Sequence, residues 1–263
     1  MLREGVALLC SLAMSAPAKT ASAAALIIGN ELLSGKVEES NLPELARLLR
    51  GLGVRLTRVV LVADDVEIIA EEVRALASSH DWLFTSGGVG PTHDDVTIEG
   101  VARAFGVAVV SSPQLEGMLR AHYKERCTDG HLRMALIPEG AALEVSADVR
   151  WPTVRFRNVF CLPGIPEVFR MKLPVVAAHL GGGRAFVSAA VYTLMDEGDL
   201  KPLLDSVVAA FPAVEVGSYP KWTNPDYRTK LTFDGQDTAL VKAACDAFVA
   251  SLPEGEPQRV EGP

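Results

Sequence analysis

The residues with the greatest chemical capacity stand in one stretch, Thr85-Ser86-Gly87-Gly88-Val89-Gly90-Pro91-Thr92-His93-Asp94-Asp95-Val96-Thr97. An apolar run, Trp82-Leu83-Phe84, precedes it, and a helix-patterned run from Ile98 to Phe105 follows. A strand, a glycine turn and a helix start, in that order, leave backbone N–H groups facing a place where an anion can sit. Glycine permits the close approach because no Cβ stands between ligand and backbone. Asp94 and Asp95 would repel a bare phosphate. A divalent cation (magnesium, manganese or cobalt) removes that conflict, since hard oxygen ligands let carboxylate and phosphate share a site. The plainer role for Asp95 is to cap the helix that follows. His93 either contacts a ligand or is a solvated loop residue.

These residues need a frame of strands and helices. Ala23-Ala24-Ala25-Leu26-Ile27-Ile28 is an unbroken apolar run ending at Gly29, as in a strand buried on both faces. Asn41 is predicted to cap a helix with Pro43 and Glu44 in its first turn. Leu45, Leu48, Leu49 and Leu52 give that helix its apolar stripe, and Gly51 and Gly53 stop it. Val54–Val62 reads as a strand, Val66–Ala77 as a helix and Asp81–Thr85 as the third strand. This alternation predicts a mostly parallel sheet with right-handed crossovers. Further on come a helix over 97–105, a strand at 107–110, a helix at 113–125 and a polar loop. Extended segments at 134–138 and 154–162 lead, through Pro163-Gly164-Ile165-Pro166, into a helix over 168–178. Gly181-Gly182-Gly183 reads as a linker.

After the linker the pattern changes. Strands at 186–194, 214–219 and 227–233 and helices at 200–211 and 237–251 make a small α+β domain. The sequence therefore divides into an N-terminal extension (1–22), an α/β domain (23–180), the small domain (184–251) and a polar, proline-rich tail (252–263) expected to be disordered. The small domain is expected to shape or cover the site. Its loop Lys221-Trp222-Thr223-Asn224-Pro225 offers a cation and an aromatic for a nucleotide base, or Trp222 packs in an inter-domain or subunit interface.

At 263 residues, 49% of them hydrophobic, the chain can bury a substantial core. The net charge of −8 and the lack of any basic run longer than two residues argue against a nucleic-acid partner. The four cysteines are widely spaced, without a metal or redox motif, and read as free thiols in a reducing, cytoplasmic compartment. No segment reaches the ~18 consecutive apolar residues that span a membrane. Residues 1–18 have the outline of a short signal peptide, or residues 1–13 are an upstream extension before a start at Met14; the second fits the cytosolic character better.

Two motifs fail on inspection. Gly29 to Lys36 has five residues between its glycines and Val37 after the lysine, so it is no P-loop. Gly88-Val89-Gly90 lacks the third glycine of a dinucleotide fingerprint, because His93 stands there. No G-x-S-x-G elbow of a serine hydrolase is present.

Three stretches taken together resemble a known family. They are Gly29-Asn30-Glu31-Leu32-Leu33-Ser34-Gly35 with Asn41, the glycine motif from Ser86 to Thr97, and Leu162-Pro163-Gly164-Ile165-Pro166-Glu167. In this order, over residues 23–180, they look like the molybdopterin-binding (MoaB/Mog-type) domain. The variants in view are the N-terminal domain of competence/damage-inducible protein A and the molybdopterin-binding-like domain of eukaryotic FAD synthases. The small domain, with Gly217-Ser218-Tyr219-Pro220, resembles the region that follows in those proteins.

The resemblance implies a three-layer α/β/α fold with its pocket at the strand ends. It implies a pterin or nucleotide-pyrophosphate ligand and a homo-oligomer. Asp64 and Asp95 fall where molybdenum-cofactor enzymes of this fold keep functional aspartates. Those enzymes often have arginine before the second aspartate. Here Asp94 stands there, which favours a metal-bound nucleotide over a simple pterin. The expected activity is hydrolysis of a nucleotide pyrophosphate of the ADP-ribose or FAD class. Asp94, Asp95 and Asp64 would be catalytic, and Asp94, Asp95 and Glu31 would hold the cation. Gly29, Glu31, Ser86, Gly87, Gly88, Gly90, Pro91, Thr92, Thr97, Gly164 and Pro166 would bind the ligand. No deamidase or adenylyl-transferase domain is recognised in the chain, so FAD synthesis is not expected of it. The rival expectations are a non-catalytic module for a pterin or nucleotide and an inactive oligomerisation domain.

Overall fold

The computed structural model describes residues 20–149, 151–180 and 183–263. Most of the N-terminal extension and part of the glycine linker therefore lie outside the described residues. The large domain runs β1 (Ser22–Ile28), α1 (Asn30–Leu33), α2 (Asn41–Gly51), β2 (Arg55–Val62), α3 (Val66–Ser79), β3 (Trp82–Ser86) and α4 (Thr97–Phe105). It continues β4 (Val109–Ser111), α5 (Pro113–Tyr123), α6 (Asp129–Arg133), β5 (Leu136–Pro138), β6 (Ala142–Glu144), β7 (Thr153–Phe156), β8 (Val159–Leu162) and α7 (Pro166–Leu180).

Six strands form one sheet in the order β2-β1-β3-β8-β7-β6. The first four are parallel, and β7 and β6 close the far side as antiparallel neighbours. Strand periodicity explains the layers. Ala23, Ala25 and Ile27 face Leu45 and Leu49 of α2 and Phe169 and Val176 of α7. Ala24, Leu26 and Ile28 face Ile69, Val73 and Leu76 of α3 and Val101 of α4. The expected three-layer α/β/α architecture is present. The 113–138 region forms a lobe at one end of the domain, with β4 and β5 paired antiparallel and Leu115, Leu119, Ala135 and Ile137 as its core. The supposed polar loop there contains α6, started by a capping box between Thr128 and His131.

The small domain comprises β9 (Val187–Thr193), α8 (Glu197–Ala210), β10 (Glu215–Pro220), β11 (Thr229–Gly235), α9 (Thr238–Ser251) and β12 (Arg259–Glu261). Its antiparallel sheet has the order β10-β11-β9-β12, with α8 and α9 supplying Leu200, Val207, Val241 and Phe248 to one core. The tail 252–263 is not disordered as expected, because β12 pairs with β9, Val260 opposite Val191. The Arg259 guanidinium lies over the Tyr192 ring at 3.8 Å, and Tyr192 Oη donates to Glu261 at 3.0 Å. The tail covers an edge that would otherwise present unpaired backbone groups. Polar links join the domains: Arg50 with Asp234, Arg55 with Glu215, and Gln236 Nε2 with the Gly53 carbonyl at 3.3 Å.

Candidate functional site

The sheet reverses its direction of winding at β1. The chain leaves β1 for β2 on one side, then crosses to β3 and β8 on the other. Open α/β sheets bind ligands at such a reversal, outside the carboxyl ends of the strands. The loops after β1, β3 and β8 meet there in backbone contact. Gly87 has φ +108°, and a Cβ on it would lie 2.2 Å from the Ile28 carbonyl oxygen. A Cβ on Gly164 would lie 3.3 Å from Gly87 Cα. Side chains at these two positions would push the three loops apart.

A cavity of about 1180 Å³ opens at this junction. Of the residues expected at the site, Glu31, Asp64, Gly87, Gly88, Gly90, Pro91, Thr92, Asp94, Asp95 and Gly164 line it. Gly29, Ser86, Thr97 and Pro166 do not. Thr97 was expected to hold phosphate but is fully buried, and its hydroxyl donates to the Gly87 carbonyl at 2.8 Å. Ser86 is also buried. Gly29 stands behind Ile28 and Glu31, which do reach the cavity. These residues build the loop; the ligand would meet its outer side.

Helix α4 starts at the cavity with Val96 at its N-cap, which supplies no side-chain acceptor. The helices α3, α5, α8 and α9 are each capped by an aspartate or serine. The first turn of α4, with Ile98 and Glu99 at the cavity wall, thus has no side-chain cap, and its Thr97 N–H donates to the Gly88 carbonyl at 2.9 Å. Asp95 does not cap this helix. Its carboxylate turns back to accept the Thr92 N–H at 2.7 Å and pairs with the Thr92 hydroxyl, closing the 92–95 loop. Asp94 is solvent-facing, and hydrogen bonding with Thr92 is the main reason its carboxyl titrates below the usual range; its own N–H and neighbouring His93 add to this. Asp64 Oδ2 accepts the Asn30 N–H at 2.8 Å, joining the ends of β1 and β2.

Asn41 has a role the sequence misassigned. Glu39 caps α2, accepting the N–H groups of Asn41 and Leu42 at 2.8 and 2.9 Å. Asn41 points inward, and its Nδ2 donates to Ser86 Oγ at 3.0 Å and to the Gly164 carbonyl at 2.8 Å. One amide thus braces the loops after β3 and β8. Cys161 also reaches the cavity, but burial holds its thiol protonated, with a pKa pushed up to about 12, so it is no nucleophile at neutral pH.

The other half of the cavity was not anticipated. Tyr123, His122, His131, Arg133 and Trp151 line it, with Leu115, Leu119 and Met134 of the small lobe. Lys172 lies there too, 6% exposed, donating to the carbonyls of Trp151 and Pro152 at 2.6 and 2.8 Å. Among the described residues no carboxylate pairs with it, and burial lowers its pKa to about 8.

Nothing from residues 183–263 lines the cavity. The expectation that the small domain covers the site is therefore corrected within one chain: it attaches at the opposite ends of the strands, through Arg55 and Gly53 near the start of β2. Trp222 is 88% exposed and packs in no inter-domain contact of the chain.

Comparison with known proteins agrees with this fold. Residues 24–180 match the family described as "Probable molybdopterin binding domain", and residues 185–261 match "FAD synthase, middle domain". The chain belongs to the molybdopterin-binding-domain family, in the two-domain form that carries the FAD synthase middle domain. A protein of Archaeoglobus fulgidus is 33% identical over 221 residues, covering 84% of this chain and 93% of the relative. The "Probable FAD synthase" of Caenorhabditis briggsae is 30% identical over 254 residues, 86% of this chain, and the chain spans 49% of that relative's length. Among solved structures, the protein CinA of unknown function from Thermoplasma acidophilum superposes with a TM-score of 0.56 at 26% identity, over 62% of this chain and 99% of that one. Among the described residues no helix is long and apolar enough to cross a membrane.

Proposed function

We propose that the cavity binds a nucleotide pyrophosphate of the ADP-ribose or FAD class with a divalent cation, and that the chain hydrolyses it. The observation that carries this reading is the coincidence of a helix start without a side-chain cap, a glycine loop and five carboxylates (Glu31, Asp64, Asp94, Asp95 and Glu99) at one cavity. The likeness to FAD synthase supports a nucleotide as ligand.

The donor set fits such a cation in a specific way. Among the described residues no group of three or more His, Cys, Asp and Glu is gathered to hold a metal by itself. Magnesium is commonly held by one or two carboxylates, with ligand phosphates and water completing its shell. Asp94 and Asp95 would hold it against the phosphates, and Glu31, expected from the sequence as a third ligand, is not gathered with them. When bound, it supplies charge neutralisation on the transferred phosphoryl group and the leaving phosphate. The N–H groups of Gly88, Val89 and Gly90, and of Ile98 and Glu99 in the first turn of α4, would bind the phosphate oxygens, since those of Gly87, Thr92 and Thr97 already donate to Leu162, Asp95 and Gly88. Asp64, held at one oxygen by Asn30, takes the proton from the attacking water at its other oxygen. Water oxygen bonds to one phosphorus, the bridging P–O bond breaks, and two phosphate monoesters leave.

A second reading, a non-catalytic pterin- or nucleotide-binding module, is favoured by one observation: Asp95 and Asp64 already have partners within the loops they belong to. Release of AMP from ADP-ribose and FAD, with and without each divalent ion, separates the two. Cation-dependent AMP release is expected. Tight binding without release under every cation would leave the module reading.

A further inference from the structure

The cavity is larger than a pyrophosphate needs, and its second half is built for something else. We propose that the region walled by Tyr123, His131 and Trp151 holds a fused-ring nitrogen heterocycle, whose polar edge bonds Thr153 Oγ1 and Lys172 Nζ. This rests on the nucleotide-pyrophosphate reading, because it assigns the base of the same ligand.

Three observations carry it. Tyr123 and His131 already pack ring against ring, with centroids 3.9 Å apart, and both line the cavity with Trp151. Rings held in this way offer flat surfaces at little entropic cost to a planar ligand. Thr153, also at the wall, is 2% exposed, yet its hydroxyl has no hydrogen-bond partner. A buried hydroxyl without a partner is costly, and such groups in a native cavity mark a place where a ligand or water completes the bond. Lys172 stands at the same wall, and its two recorded hydrogen bonds are to backbone carbonyls. A charged amine has three N–H donors, and a neutral one has two donors and a lone pair. In either state Nζ keeps one bond for a ligand. Thr153 and Lys172 are thus tied to the same short segment as Trp151, so ring wall and polar edge are set by one piece of chain. A fused heterocycle such as a purine or a pterin satisfies both, having a flat face and nitrogen or oxygen atoms around its rim.

Titration calorimetry on the full chain tests this with three probes: adenosine and neopterin, which carry rings without phosphate, and inorganic pyrophosphate with magnesium, which carries no ring. The wild type is expected to bind at least one of the ring probes, and which one binds distinguishes the purine from the pterin source. Thr153→Val keeps the shape and removes only the unpartnered hydroxyl. It is expected to bind that ring about tenfold more weakly, to bind pyrophosphate unchanged and to melt no earlier than wild type. Lys172→Met is expected to show the same selective loss. Wild type that binds neither ring, or a Thr153→Val protein that binds it as well as wild type, overturns the inference. Ring binding without pyrophosphate binding would instead overturn the phosphate reading and leave the ring site standing.

Discussion

The two sheets of this molecule treat their loops differently. In the large domain β1, β3 and β8 are parallel neighbours, so the loops that leave their carboxyl ends converge on one edge. In the small domain every strand runs opposite to its sheet neighbours, so the loops after β9 and β10 leave at one edge and the loop after β11 at the other. The first arrangement gathers glycines, aspartates and a helix N-terminus from distant parts of the sequence. The second builds a well-packed core and an attachment surface, and none of its residues lines the cavity. Chemistry-bearing residues collect where topology brings loop ends together.

The sharpest way to break this comparison is through glycine. Gly87→Ala places a Cβ 2.2 Å from a backbone carbonyl at φ +108°. It should cost roughly 2–4 kcal/mol in urea denaturation and abolish pyrophosphate binding. Its counterpart is Gly217→Ala in β10, where the new Cβ meets Tyr219 at 2.9 Å and Thr232 Oγ1 at 3.0 Å. The Tyr219 ring is half exposed and can swing aside, so the cost should stay below about 1 kcal/mol with binding intact. Equal costs for the two substitutions would remove the distinction between the sheets.

Lys172 gives the next largest effect. Burial lowers its pKa from 10.5 to about 8 in the folded protein. Between those two values the unfolded chain holds more of this proton, so the Lys172 contribution to stability rises with pH across that window. Below it the charged amine bears its full burial cost. Relative to Lys172→Met, which cannot titrate, wild type should gain about 2 kcal/mol between pH ~7.5 and ~10. Parallel stability curves over that range would mean that the amine is solvated. Asn41→Ala follows, removing the brace on Ser86 and the Gly164 carbonyl. A loss of about 1–2 kcal/mol is expected in the same denaturation experiment, with weaker pyrophosphate binding because the two loops lose their common donor. Unchanged binding would show that the loops hold their places without it.

Much of this was legible in the sequence. The run Ala23–Ile28 could only be a strand covered on both faces, and the order of strand and helix patterns implied the parallel sheet. The glycine motif announced its own turn. What could not be read depends on distance along the chain or on burial. Asn41 resembles a helix cap, and its partner at Gly164 lies 123 residues away. Lys172 resembles a solvated helix charge, and only the packing of the Trp151 segment reveals that it is enclosed. The aromatic half of the cavity joins residues from α5, α6 and the loop before β7, none of which forms a motif. The strand β12 has three residues, too few to show alternation, and its reason for existing is the open edge of β9.

The central claim is that the carboxylates beside the glycine loop take part in cleaving a nucleotide pyrophosphate. The most direct measurement pairs a rate with a melt for Asp95→Ala. The Asp95 side chain bonds Thr92 within one exposed loop and caps no helix, so its removal should shift the melting temperature by only a few degrees. Cation-dependent release of AMP from ADP-ribose or FAD should fall at least a hundredfold, as expected when charge stabilisation of the transition state is lost. A variant that releases AMP at the wild-type rate would contradict the account.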